Sequence, residues 1–205
     1  MAIETVSIVG VGLIGGSFGL ALRAAGFTGR IIGVSSPRTI EAALERGAID
    51  EGRPLAEAIP ESDLIYLAQP IFRIVEVLPE VSRLAPAGAL VTDAGSTKRE
   101  IVERARGCFA DGPFFVGGHP MAGKEQRGVQ RAEADLFAAA TYVLSPLGAD
   151  LPDAPVVEEF VAWIGRIGAH VVLLPAEVHD KVVSWTSHLP QLLSTALAAS
   201  VGKRI

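Results

Sequence analysis

Short apolar runs recur along the chain, separated by longer segments in which apolar residues return every three or four positions. The runs at residues 6–9, 30–34, 64–68, 89–92, 114–116, 141–144 and 170–173 predict strands, and the segments between them suit helices or loops. That alternation of short strands with helical patterns argues for a mainly parallel sheet covered on both faces. The expected class is therefore α/β, with a doubly wound, mainly parallel sheet. The character changes at Pro175. From residue 175 to 200 the pattern predicts a long helical stretch, with Pro175 near its first turn and Pro190 as a kink. Lys181, Ser184, His188, Gln191 and Thr195 follow spacings of 3, 4, 3 and 4 and line one face. Val182, Val183, Trp185, Leu189, Leu192, Leu193, Ala196 and Leu197 take up most of the rest. So broad an apolar surface must pack against the first part of the chain, against further helices or against a second copy, and a homodimer through this stretch is expected. The chain is accordingly divided into residues 1–174 and the start of an all-helical second domain at residues 175–205.

With 18 basic and 23 acidic residues, the 205-residue chain has no electrostatic footprint for nucleic acid or an anionic membrane. Small polar ligands or other proteins are the expected partners. A lone cysteine, Cys108, excludes an internal disulfide, fits a reducing compartment and reads as a plain buried thiol. Residues 6–22 resemble a secretory signal, but the only charge ahead of them is Glu4 and the basic leader region is missing. The expected location is the cytoplasm, and no apolar stretch is long enough to span a bilayer.

The segment Gly117-Gly118-His119-Pro120-Met121-Ala122-Gly123-Lys124-Glu125 follows the apolar run Phe114-Phe115-Val116. Pro120 disfavours helical geometry at His119, which places the histidine on a loop leaving a strand. That edge of an open parallel sheet is where ligands bind, and imidazole is suited to moving a proton near neutral pH. His119 reads as a catalytic base, against a hydrogen-bonded turn histidine.

Gly10-Val11-Gly12-Leu13-Ile14-Gly15 follows the first predicted strand and opens a helical pattern, the context a dinucleotide fingerprint needs. Gly10 permits a tight turn, Gly12 lets a pyrophosphate approach the backbone beside Leu13 and Ile14, and Gly15 allows helix and strand to pack closely. The fold is expected to be Rossmann-type. After the second strand, where a carboxylate would bind the ribose of NAD, the chain has Ser35-Ser36-Pro37-Arg38. Two hydroxyls and a guanidinium suit a 2′-phosphate, so NADP is expected and NAD is the alternative. Ser36 also suits the cap of a helix beginning near Pro37.

Thr97 and Glu100 form the pattern of a capping box, which leaves Ser96 free to face the crevice and bond His119 or a substrate oxygen. Gln69-Pro70 ends a strand close to where a nicotinamide ring lies in such folds. His170 reads as structural, and for His179, followed by Asp180 near a helix start, a capping or dipole role is the alternative to a place in the site. In a straight helix His179 and His188 point to nearly opposite sides, so both serve one site only through a bend or from different subunits. No metal site is expected, because no ligand spacing supports one.

Taken together, the glycine motif extended by Gly16-Ser17, Gly118-His119-Pro120-Met121-Ala122-Gly123, Asp135-Leu136-Phe137 and Ser187-His188-Leu189-Pro190 closely resemble prephenate and arogenate dehydrogenases of tyrosine biosynthesis. The resemblance covers essentially the whole chain. It implies oxidative decarboxylation of a cyclohexadienol, in which the residue matching His119 accepts the ring hydroxyl proton while hydride leaves the same carbon for the nicotinamide. Loss of the ring carboxylate as carbon dioxide then aromatises the product. It also implies that Ser96 assists the histidine, that Glu125 lies at the substrate entrance and that His188 lines the site. Gln191 stands where some relatives have a second histidine, so side-chain recognition differs there. Relatives continue through a further helical domain that supplies dimer contacts and a substrate-binding arginine. This sequence resembles their cofactor domain joined to the first helix of that second one. Lys124 and Arg127, beside the histidine, would repel an ammonium and favour prephenate over arogenate if they face the site. Two other readings stand beside this one: a catalytically silent dinucleotide-binding module, and another hydroxyacid dehydrogenase of the same cofactor fold.

Overall fold

The structure, a computed structural model, describes residues 3–110 and 112–202. Six parallel strands open the sheet: β1 (Thr5–Val9), β2 (Arg30–Val34), β3 (Glu51–Gly52), β4 (Leu64–Leu67), β5 (Leu90–Asp93) and β6 (Phe114–Pro120). β7 (Thr141–Pro146) runs antiparallel to β6, and β8 (His170–Leu173) lies parallel to β7. The spatial order is β3-β2-β1-β4-β5-β6-β7-β8. Strand order therefore reverses between β1 and β4, which opens a crevice at their carboxyl ends.

The helices are α1 (Leu13–Ala24), α2 (Pro37–Glu45), α3 (Leu55–Ala58), α4 (Ile71–Leu84), α5 (Arg99–Arg106), α6 (Pro155–Arg166), α7 (Ala176–Val183) and α8 (Leu189–Gly202). Successive strand residues point to opposite faces and feed two cores. Val6, Ile8, Tyr66, Leu90 and Val116 pack with Phe18 of α1 and Phe160 of α6. Val9, Ile65, Leu67, Val91 and Phe115 pack with Ile74 and Leu78 of α4 and Ile101 and Val102 of α5. This is the doubly wound arrangement that the alternation of strands and helices predicts.

Three local expectations are corrected. β3 escapes the pattern because its two residues carry no apolar run. His119 does not sit on a loop: β6 continues through Pro120, with His119 opposite Val143 and Pro120 opposite Tyr142. The antiparallel partner extends the strand past the point where Pro120 suggests an exit, since the missing N–H is tolerated at a strand end. The C-terminal stretch is helical without a gap from Ala176 to Gly202, as expected, but its irregularity is a π turn and not a simple proline kink. Between α7 and α8 lies a π turn, Ser184–His188, in which the Leu189 N–H reaches back to the Ser184 carbonyl. The wide turn falls just before Pro190, whose ring cannot continue an ordinary helical hydrogen-bond ladder.

The apolar surface of this stretch is not covered by the sheet domain. Val183 is buried, but Trp185, Leu192 and Leu197 are each 67% exposed. Among the described residues, no helix is long and apolar enough to cross a membrane.

Candidate functional site

Gly10 leaves β1 with φ of +96°, and a Cβ there would lie 2.7 Å from the Ala68 carbonyl oxygen, so the turn into α1 needs glycine. Gly15 is held equally close, since its Cβ would fall 2.2 Å from the Gly10 oxygen. Gly12, at the N-cap of α1, is different: a Cβ would meet nothing within 4 Å. The first amides of α1 thus face open space without a side-chain cap, the arrangement that receives a phosphate. One cavity of about 320 Å³ is lined by Gly10, Gly12, Ser35, Thr39, Gln69 and Gln130. A neighbouring cavity, about 420 Å³, shares Gln69 and Pro70 with it and adds Leu13, Ile14 and Arg127. The buried Oε1 of Gln69 has no hydrogen-bond partner among the described residues, as expected of an acceptor left for a ligand amide. These features fit a dinucleotide.

At the far end of β2, Ser36 is the N-cap residue of α2, but its hydroxyl bonds the Thr39 hydroxyl at 2.9 Å instead of a backbone amide. Ser35, Ser36 and Arg38 are all exposed there. Thr39 and Gln130, which line the crevice, carry no motif that marks them in the sequence.

His119 stands where the crevice meets a second cleft. It lines a cavity with Ile14, Gln69, Pro70 and Ser96 on one side. On the other it lines a cleft of about 590 Å³ with Met121, Lys124, Glu125, Ser187 and Gln191. His119, Ser96, Lys124, Glu125 and Gln191 are thereby brought to one connected groove. Lys124 is ion-paired with Glu133, which offsets its charge, and Arg127 lines the cofactor side. The expected repulsion of an ammonium by these two residues is thus weakened. His188, half-buried on the π turn, is not among the residues lining either cavity, although its neighbour Ser187 is.

The ring partner of His119 is not Ser96. His119 Nδ1 lies 2.8 Å from His179 Nε2, and His179 Nδ1 lies 2.7 Å from Asp180 Oδ1. Asp180 also accepts the amides of Lys98 at 2.7 Å and Arg99 at 3.0 Å. Burial pushes the Asp180 carboxyl up, but these hydrogen bonds prevail and hold it below the usual range. As a carboxylate, Asp180 only accepts, so His179 donates from Nδ1 and His119 donates from its own Nδ1 to His179 Nε2. The His119 Nε2 lone pair is left bare at the groove. Burial, aided by the Lys98 cation, holds the His119 pKa down to about 3 and keeps the ring neutral.

Asp180 also replaces the expected capping box. α5 begins after Lys98, not Thr97, and its N-cap makes no side-chain hydrogen bond of its own. The first amides are capped instead by a carboxylate 82 residues downstream. Sequence reading missed His179 and Asp180 as site residues. The adjacent His-Asp pair was the only signal, because their contact with His119 is set by tertiary packing.

Comparison with known proteins identifies a family. The family model described as prephenate dehydrogenase, nucleotide-binding domain, matches residues 18–173. The prephenate dehydrogenase of Lactococcus lactis subsp. cremoris is 36% identical over 196 residues, covering 95% of this chain and 53% of its own length. The crystal structure of A. aeolicus prephenate dehydrogenase in complex with hydroxyphenyl propionate and NAD+ matches with a TM-score of 0.87 and 32% identity, over 98% of this chain and 70% of that one. Synechocystis arogenate dehydrogenase matches with a TM-score of 0.83 and 34% identity, over 96% and 68%. The chain spans about half the length of the curated prephenate dehydrogenases it matches. With the family model matching residues 18–173, well over half of the sequence, the chain belongs to the prephenate dehydrogenase family.

Proposed function

We propose that this chain carries out the oxidative decarboxylation of prephenate, with arogenate as the alternative substrate, and uses NADP in preference to NAD. The observation that carries the reading is the Asp180–His179–His119 chain, which presents a bare imidazole nitrogen between a dinucleotide crevice and a polar cleft. Bound in the crevice, a nicotinamide dinucleotide supplies the hydride acceptor. His119 Nε2 takes the proton of the ring hydroxyl. The imidazolium formed keeps its Nδ1 hydrogen bond to His179, and the Asp180 carboxylate stabilises the new charge. Ser96 is the hydroxyl available to a substrate oxygen, while Glu125, Gln191 and Ser187 bind polar groups at the cleft mouth. Aromatisation of the substrate with loss of carbon dioxide draws the reaction forward.

The NADP preference is supported by Ser35, Thr39 and Gln130 around the far end of the crevice, with Arg38 in the first turn of α2 and no carboxylate ending β2. NAD remains the alternative, since the A. aeolicus relative was crystallised with NAD+. We take residues 1–174 as the cofactor domain and 175–205 as the opening of a helical substrate and dimerisation domain, in a homodimeric cytoplasmic enzyme.

The test is the initial rate of reduced-nicotinamide formation with prephenate, measured with NADP and with NAD, and repeated with arogenate. His119→Ala is expected to lower the rate by about 10²- to 10⁴-fold and to leave cofactor affinity nearly unchanged. Equal loss of both would overturn the assignment of His119. One rival, a silent dinucleotide-binding module, is suggested by the family model's description as a nucleotide-binding domain; its signature is NADP binding with no turnover of either substrate.

A further inference from the structure

Asp93, ending β5, and Lys98, preceding α5, form an ion pair in which both side chains are fully buried. Desolvation makes such a pair a weak source of stability, so its value lies in what it holds in place. Asp93 Oδ2 also accepts the Gly95 amide at 2.8 Å, and Oδ1 accepts the amide of Gly118, the residue before His119, at 3.1 Å. Gly118 has to be glycine for this approach, because a Cβ would lie 2.3 Å from the Asp93 carbonyl oxygen. On its other side, Lys98 donates its own amide to Asp180, which orients His179 and through it His119. These contacts close a ring through Gly118, Asp93, Lys98, Asp180, His179 and His119 that ties together β5, β6, α5 and α7.

We propose that the buried Asp93–Lys98 pair positions His119, anchoring its backbone through Gly118 and its imidazole through Asp180 and His179. The inference rests on His119 being the proton acceptor. Both anchors act on one residue: the first fixes where its Cα lies, the second fixes the rotation and tautomer of its ring. The Lys98 cation, with His179 and His188, opposes a positive charge on His119, whereas Asp180 favours one. Glu125 and the Glu133-paired Lys124 line the cleft beside it.

Nitrogen NMR of the imidazoles reads this directly in the full chain, without requiring turnover. Wild-type His119 is expected to stay neutral and protonated at Nδ1 down to pH 5. Lys98→Met, and the double variant Asp93→Asn with Lys98→Met, are expected to show mixed tautomers and a His119 titration at least one pH unit higher. The double variant leaves no unpaired buried charge, so it keeps the test open if Lys98→Met alone does not fold. A folded double variant whose His119 keeps the wild-type tautomer and titration would overturn the proposal and reduce the pair to a structural role. Wild-type His119 titrating near its ordinary value would instead overturn the reading of His119 as a buried neutral acceptor, and the two failures are distinguishable.

Discussion

Keeping His119 neutral inside the protein makes stability depend on pH in a definite direction. Its folded pKa is about 3, against an ordinary value of 6.5. Above pH 6.5 neither the folded nor the unfolded chain protonates this ring. Between 6.5 and 3 only the unfolded chain takes up the proton, so stability is lost as pH falls, at up to about 1.4 kcal/mol per pH unit for one proton. His179, also lowered by burial despite Asp180, adds to the same trend. We expect urea unfolding free energies to be flat from pH 8 to 7 and to decline from 6.5 to 5. His119→Gln, neutral throughout, is expected to decline less steeply, and a slope equal to wild type would contradict the burial assigned to His119. The identity of this residue was legible because glycines and a proline frame it. Its strand position was not, since Pro120 marks a strand exit only when no antiparallel neighbour such as β7 prolongs the pairing.

The junction of α5 with α7 is where local pattern and tertiary contact disagree. Thr97 and Glu100 have capping-box spacing, yet the helix takes its cap from Asp180 on α7. A carboxylate at a helix N-terminus satisfies two free amides and opposes the positive end of the helix dipole. Asp180→Ala is therefore expected to destabilise the protein by about 0.5–2 kcal/mol, the usual worth of a cap, and to slow turnover by freeing His179. Thr97→Ala is expected to change stability by less than about 0.5 kcal/mol, as surface substitutions do. Chemical denaturation of the two variants decides between the caps, and a larger loss for Thr97→Ala would restore the capping box. No periodicity reveals such a cap, because its donors and acceptor are 82 residues apart in the chain. The same separation explains why His179, 60 residues from His119, read as a helix-end residue. The π turn is a related case: Pro190 signalled a break, but only the three-dimensional path shows that the helix widens and brings Ser187 to the cleft that His119 lines.

Across the molecule, the sheet was readable because apolar runs buried on both faces leave a strong imprint, and the glycine fingerprint located the crevice at its switch point. The apolar stretch after Pro175 was equally visible, but periodicity does not name the surface that covers it. The sheet domain does not: Val182, Trp185, Leu189, Leu192, Leu193 and Leu197 stay exposed along α7, the π turn and α8. Val172 and Leu173 of the edge strand β8 are exposed as well. Exposed apolar side chains in this number are characteristic of an interface, and a two-fold pairing of identical helices would bury them on both copies at once. Wild-type chain is expected to sediment as a dimer at micromolar concentration. Leu192→Glu combined with Leu197→Glu places two charges in that surface on each copy and is expected to yield monomers that retain helical circular dichroism and bind NADP as wild type does, since neither residue approaches the glycine crevice. A wild-type chain that sediments as a monomer, or a double variant that remains dimeric, would overturn the assignment of this face to self-association.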